Sequence, residues 1–197
     1  MTITWRSSLL ALAAALLAAC SPEGPKFRST DVTGAEFGRS LALTGHDGKP
    51  RTLADFRGKL VVVFFGYTHC PDVCPTTLAD MAGALKQLGA DAARVQVLFV
   101  TVDPERDTRE VLAQYVPAFD PGFIGLTGDA GAIQRTAKEF RVYYAKSSGA
   151  APGAYTVDHS GQSFVFDTEG RLRLLARPER ISQDLAADLR TLLAAAR

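Results

Sequence analysis

The spacing of apolar residues changes along the chain, and each change predicts an element. Lys59-Leu60-Val61-Val62-Val63-Phe64-Phe65-Gly66 is an unbroken apolar run rich in β-branched and aromatic side chains, the pattern of a central strand buried on both faces. From Pro75 the period lengthens. Leu78, Met81, Leu85 and Leu88 recur at intervals of three and four, which predicts a helix with Pro75 in its first turn and Gly89 as its C-terminal cap. Val95–Val102 is a second strand by the same criterion. A helix over Arg109–Val116, a short strand at Phe123–Leu126 and a helix over Ala130–Phe140 follow. Upstream, Ser40–Thr44 and Arg51–Leu53 flank a Gly45-His46-Asp47-Gly48 turn and predict a hairpin. Downstream, residues 146–156 read as a Gly/Ser/Ala/Pro loop. Ser163–Phe166 and Leu172–Leu175 then form a hairpin around Asp167–Gly170, and Ser182–Ala195 closes the chain as a helix with Leu185, Leu189, Leu192 and Leu193 on one side.

Strands alternating with helices argue for an α/β fold with a mainly parallel sheet covered on both faces, to which the terminal hairpin adds antiparallel edges. The order is that of a thioredoxin-like fold: a central mixed sheet flanked by helices, with an N-terminal hairpin and a C-terminal hairpin plus helix. Ligands in such sheets sit beyond the carboxyl ends of the strands, and the segment there is Gly66-Tyr67-Thr68-His69-Cys70-Pro71-Asp72-Val73-Cys74-Pro75.

Ahead of the domain, Arg6 precedes the apolar run Leu9–Ala19, long enough for the h-region of a signal peptide and short for a membrane span of ~20 residues. The run ends in Leu17-Ala18-Ala19-Cys20, which resembles the lipobox of bacterial lipoproteins. By that resemblance residues 1–19 are removed and Cys20, acylated on sulfur, becomes the N-terminus, its lipid anchoring the protein to a membrane of the bacterial cell envelope on the periplasmic face. A plain secretory peptide with an incidental cysteine, and an uncleaved signal anchor, are the alternatives. Residues 20–35, rich in Pro, Gly, Ser and Thr, read as a flexible tether, leaving a single folded domain over 36–197.

Composition narrows the function. Of 197 residues, 47% are hydrophobic and 22% charged, which excludes a disordered chain, a collagen and a coiled coil. Lys and Arg number 22 against 21 Asp and Glu, so there is no net basic character of the kind that nucleic-acid binding needs. With only three cysteines, the chain is no disulfide-stapled miniprotein.

Two of those cysteines, Cys70 and Cys74, lie four apart between a buried strand and a helix start. That spacing brings both sulfurs to one side of a turn, ready for a disulfide or a shared metal. Cys74 falls at or next to the helix N-cap, where the helix dipole favours a thiolate. Paired thiolates select soft ions, copper(I), zinc or iron–sulfur, but two sulfurs leave a metal site incomplete. Three histidines compete to complete it. His46 lies in a turn. His69 adjoins Cys70, and neighbouring side chains on an extended chain point oppositely. His159 follows the long loop and can fold back over the strand ends, or else sit in a surface turn.

Gly66–Pro75, followed by Val102-Asp103-Pro104-Glu105-Arg106-Asp107 and Tyr155-Thr156-Val157-Asp158-His159-Ser160, resembles the Sco/SenC family over residues 37–195. These are membrane-tethered copper-binding proteins of thioredoxin fold. The resemblance implies copper, as Cu(I) or Cu(II), held by Cys70, Cys74 and His159. It also implies a periplasmic copper donor, and delivery of copper or of reducing equivalents to the dinuclear copper centre of cytochrome c oxidase subunit II or another envelope cuproprotein. Many relatives are anchored by a transmembrane helix, whereas this chain carries Cys20.

Around the ligands, Asp158 is expected either to orient the imidazole or to cap a turn. Asp72 and Asp103 are expected in solvated or capping roles, or as shapers of a partner surface and tuners of the thiolates; Tyr67, Phe64 and Phe65 belong to the core. The competing function is a thiol–disulfide oxidoreductase with Cys70 and Cys74 as its redox pair. Against it, the spacer has three residues rather than two, and Val157–Gly161 lacks the proline that thioredoxin relatives place there. The two functions overlap, because an oxidised Cys70–Cys74 pair has no thiolate to offer copper. A metallochaperone is the expectation.

Overall fold

The structure, a computed structural model, describes residues 24–148 and 154–196. Its strands and helices run in the order β1 (Thr30–Asp31), β2 (Ala42–Gly45), β3 (Pro50–Thr52), β4 (Leu60–Gly66), α1 (Val73–Leu88), β5 (Val95–Thr101), α2 (Arg109–Tyr115), β6 (Ile124–Thr127) and α3 (Ala130–Glu139). They continue through β7 (Tyr144–Ser148), β8 (Tyr155–His159), β9 (Ser163–Phe166), β10 (Leu172–Ala176) and α4 (Ile181–Ala195).

Eight strands form one sheet in the order β1-β10-β9-β4-β5-β6-β2-β3. Only β4–β5 and β5–β6 pair in parallel; every other ladder in that sheet is antiparallel. The sheet is the expected central mixed one, with fewer parallel ladders than the alternation of strands and helices implies. The reason is local: short turns such as Asp167–Gly170 can join only antiparallel neighbours. All seven residues of β4 and all seven of β5 are buried. Because successive side chains point to opposite faces, both faces of the sheet centre are covered. Helices α1 and α4 pack against one another, while α2 lies over β6 and α3 over β2. Phe65, Phe140, Phe164 and Phe166, each fully buried, meet with ring centroids 5.1–6.0 Å apart. Each such side chain stabilises the fold by about 1.5–3 kcal/mol relative to an exposed one.

Three boundaries differ from the sequence expectation. The domain begins earlier than residue 36: the Arg28 and Ser29 N–H groups donate to the buried Asp188 carboxylate at 2.7 and 2.9 Å, and Thr30–Asp31 pairs with β10. Much of the expected tether is thus docked. Helix α1 starts at Val73, two residues before Pro75, which places Cys74 inside its first turn. The expected loop over 146–156 is in part a ribbon, β7 paired with β8 and, among the described residues, with no other strand; residues 149–153 lie outside the described residues.

Candidate functional site

The carboxyl end of β4 delivers the first half of the site. After Gly66 the chain turns through Tyr67, buried at 3% exposure, and the Cys70 N–H donates to the Tyr67 carbonyl at 3.3 Å. Gly66 is dictated by space: a Cβ there would lie 2.9 Å from the Cys74 sulfur and 2.8 Å from the Phe99 ring. Cys70 and Cys74 are both free thiols, and both are buried, Cys74 completely. Burial pushes the Cys74 thiol well above its ordinary range; a hydrogen bond with Cys70 and the nearby Asp107 carboxylate add to the rise, against a Tyr67 backbone hydrogen bond. The expected thiolate at the helix start is overturned. The dipole of α1 does not offset the loss of water around a sealed sulfur, so Cys74 carries its proton until something displaces it.

The second half comes from β8. The His159 Nε2 lies 3.6 Å from Cys74 Sγ, and its Nδ1 lies 3.2 Å from the Val157 carbonyl oxygen. A carbonyl can only accept, so the imidazole bears its proton on Nδ1 and turns the bare Nε2 lone pair to the thiol. Burial holds the imidazole pKa below its ordinary value. Its ring meets Tyr67 edge-on, with centroids 5.8 Å apart at 84°. Asp158 does not orient the imidazole. It accepts from Ser147 Oγ across the ribbon at 2.5 Å, and a backbone carbonyl takes the role instead.

The other histidines are elsewhere. His46 accepts the Gly125 N–H at Nδ1, 3.0 Å, and His69 is exposed with Nδ1 3.1 Å from Thr68 Oγ1. Asp72 is exposed at the start of α1. Cys20 lies outside the described residues. Two further acids organise the site. Asp107 accepts from the Thr68 N–H at 3.0 Å and from the hydroxyls of Thr68 and Thr101 at 2.6 Å each. Asp103, fully buried, accepts from Arg106 Nε and from the Tyr155 hydroxyl at 2.9 Å. Asp107, Arg106 and Tyr155 had no role in the sequence analysis, although the four-residue interval between Asp103 and Asp107 just beyond a buried strand was visible there.

Two ligands with bond lengths of ~2.0 and ~2.3 Å spread at 120° about one ion stand about 3.7 Å apart. Cys74 Sγ and His159 Nε2 already stand at that separation. The cage is not closed: among the described residues no group of three or more His, Cys, Asp or Glu is gathered as a finished metal site.

A mixed α/β sheet carrying a CxxxC dithiol against an imidazole defines a thioredoxin-like dithiol–histidine protein, equipped for soft-metal binding or thiol exchange. The sequence profile described as SCO1/SenC matches residues 29–194, and the chain belongs to that family. It is 39% identical over 159 residues to the mitochondrial SCO2 homolog of Bos taurus, a match covering 80% of this chain and 60% of that protein. The chain spans 59–62% of the length of the mammalian SCO2 homologs it matches. Among solved structures, Bradyrhizobium japonicum ScoI with copper bound is similar at a TM-score of 0.73 and 39% identity, over 79% of this chain and 99% of that one. Apo Sco1 from Thermus thermophilus is similar at 0.76 and 44%, over 85% and 97%. A SCO1/SenC family lipoprotein from Bacillus anthracis is similar at 0.70 and 26%, over 87% and 100%. BsSco, similar in fold at a TM-score of 0.63 and 21% identity, is described as a member of the Sco family of cytochrome c oxidase assembly proteins.

Proposed function

We propose that the protein is a membrane-tethered copper chaperone that holds the ion through the thiolates of Cys70 and Cys74 and Nε2 of His159. In this role it accepts copper from a periplasmic donor and passes it to the dinuclear copper site of cytochrome c oxidase subunit II or to another envelope cuproprotein. The observation that carries the reading is the bare Nε2 lone pair of His159 standing 3.6 Å from the Cys74 sulfur, the spacing of two ligands on one ion. The donor set of two sulfurs and an imidazole suits copper(I). Loading releases the thiol protons as the ion binds, and the low imidazole pKa keeps that ligand neutral and ready. A site with one ligand on a separate ribbon releases its cargo by ligand exchange. The anchor in this proposal is acylated Cys20; among the described residues no helix is long and apolar enough to cross a membrane.

Anaerobic copper(I) titration of the reduced domain tests the reading. One ion per chain is expected, and His159→Ala should lower affinity by more than the ~10–100-fold that loss of an outer hydrogen-bond partner produces. Unchanged affinity in that variant removes His159 from the site. A second reading, thiol–disulfide exchange with envelope proteins, is favoured by one observation, that both cysteines are free thiols close enough to hydrogen-bond. It requires turnover of a disulfide substrate that survives His159→Ala.

A further inference from the structure

The ribbon that carries His159 is not part of the main sheet: among the described residues β7 and β8 pair only with each other. An isolated two-stranded ribbon is marginal in water, yet its last residue must stand over Cys74 to within a few tenths of an ångström. Its far end is fastened to the β5–α2 connection. There Tyr155 donates to Asp103, and Arg106 donates from Nη1 to the Tyr155 carbonyl at 3.1 Å. The Arg106 guanidinium carbon sits 3.7 Å from the centroid of the Tyr155 ring, and Lys146 reaches back to Glu105 at 2.7 Å. The same short turn holds the cysteine loop from its other end, where Asp107 takes both the N–H and the hydroxyl of Thr68, two residues before Cys70. Its two ends are joined by the Asp107 N–H donating to the Asp103 carbonyl at 2.9 Å.

We propose that the turn 103–107 is a bracket that sets the imidazole against the thiols, with Asp103, Arg106 and Tyr155 as positioning residues for His159 and Asp107 as the positioning residue for the cysteine loop. None of the four is a ligand. The bracket carries its function only if His159 binds copper as proposed above, but its geometric claim stands apart from that reading and is tested apart from it. Tyr67 ties the cysteine loop to the ribbon directly, through a hydrogen bond with the Val157 backbone and its ring contact with His159; the turn adds a second reference for both, so an error in the bracket tilts the ribbon about that contact and moves one ligand relative to the others. Tyr155 is half-buried against the core, so Tyr155→Phe keeps the ring in place and removes one hydroxyl, the donor to Asp103.

In the reduced metal-free protein, Tyr155→Phe should lower the melting temperature modestly, by the loss of one hydrogen bond to the buried Asp103 carboxylate, and leave the rate of thiol alkylation at Cys70 and Cys74 unchanged. It should shift the His159 ring resonances out of the field of the Tyr67 ring and average the Nδ1-protonated tautomer. Ring resonances identical to those of the parent protein overturn the bracket, whatever copper does. In copper(I) competition titrations, Tyr155→Phe should weaken binding about tenfold, the scale of one hydrogen bond to a buried carboxylate, and add nothing in a His159→Ala background. An equal loss in both backgrounds also overturns the bracket, because the effect would not pass through the imidazole. Should His159→Ala itself leave affinity unchanged, the copper-ligand reading fails while the ring resonances still decide the bracket. Thr68→Val provides the mirror case, expected to speed alkylation of Cys70 and leave the His159 resonances in place.

Discussion

At the scale of single residues, the site is governed by space and water more than by formal charge. Gly66 shows the first. Its backbone needs no left-handed conformation, but Phe99 and Cys74 are both fully buried and neither can retreat from an added methyl group. Gly66→Ala is expected to lower stability by about 1–3 kcal/mol through overpacking. It should weaken copper binding as well by displacing the Cys74 sulfur, as read by denaturant melts and copper titration on the same sample. A variant with parental stability and affinity would show that the strand end yields. Cys74 shows the second: placement at a helix start argues for a thiolate, and complete burial reverses it. The sequence made both cysteines legible as a pair, because their spacing is local. It left three histidines in contention, because the meeting of His159 with Cys74 joins residues 85 positions apart. It could not show that a backbone carbonyl rather than Asp158 fixes the imidazole, since a carbonyl has no letter of its own.

At the scale of elements, the segments with strong apolar period were legible: β4, β5, α1 and the β9–β10 hairpin all occur where the pattern places them. What escaped were elements held by polar contacts. β1 is two residues long with both residues exposed, and the chain just before it is docked by a carboxylate 159 positions from Ser29, at Asp188. The β7–β8 ribbon has the sequences Tyr-Ala-Lys-Ser-Ser and Tyr-Thr-Val-Asp-His; β8 alternates in burial around Val157, but over five mostly polar residues beside a Gly/Ser/Ala/Pro stretch that alternation is too short to stand out. The β9–β10 turn makes a testable case of polar fastening. Asp167 accepts the Glu169 and Arg171 N–H groups at 3.0 Å each and Arg171 Nε at 2.9 Å. Burial alone would raise its pKa, but the Arg171 and Glu169 hydrogen bonds bring it below the ordinary carboxylate value. A depressed folded pKa contributes stability above the unfolded value of about 3.9, and that contribution is lost as pH falls through the folded value. Asp167→Asn is therefore expected to lower stability by about 1–3 kcal/mol at neutral pH, with the gap to the parent protein closing on acidification below about pH 4. A gap constant with pH would assign the loss to geometry rather than charge.

At the scale of the whole molecule, strand directions decide which way the site faces. β9 runs antiparallel to β4, β10 antiparallel to β9, and β1 antiparallel to β10. β1 therefore starts at the pole where β4 ends, the pole of Cys70, Cys74 and His159. The contacts of Arg28 with the Gln183 carbonyl and the Asp188 carboxylate, in the first two turns of α4, place the entering chain at that same pole. The entry strand is three strand spacings from β4, about 14 Å to the side. With Cys20 acylated as proposed, seven residue steps separate the lipid from Phe27, which packs against the core, and seven extended steps reach about 25 Å. Such an anchor would hold the thiols near the bilayer, on the pole where the chain enters, and would favour an acceptor embedded in the same membrane over a soluble one. Inserting a Gly/Ser segment of about 40 residues between Ser21 and Phe27 keeps the anchor and the fold but dilutes the site. Effective concentration falls roughly as the −3/2 power of tether length, which for this change is about tenfold or somewhat more. Copper transfer to a membrane-embedded acceptor in the same vesicle should slow by that factor, while copper affinity and transfer to a soluble chelator stay constant. Flotation of the vesicles confirms that the lengthened protein is still anchored. Equal transfer rates at both tether lengths, with anchoring intact, would show that the placement of the entry point has no part in delivery.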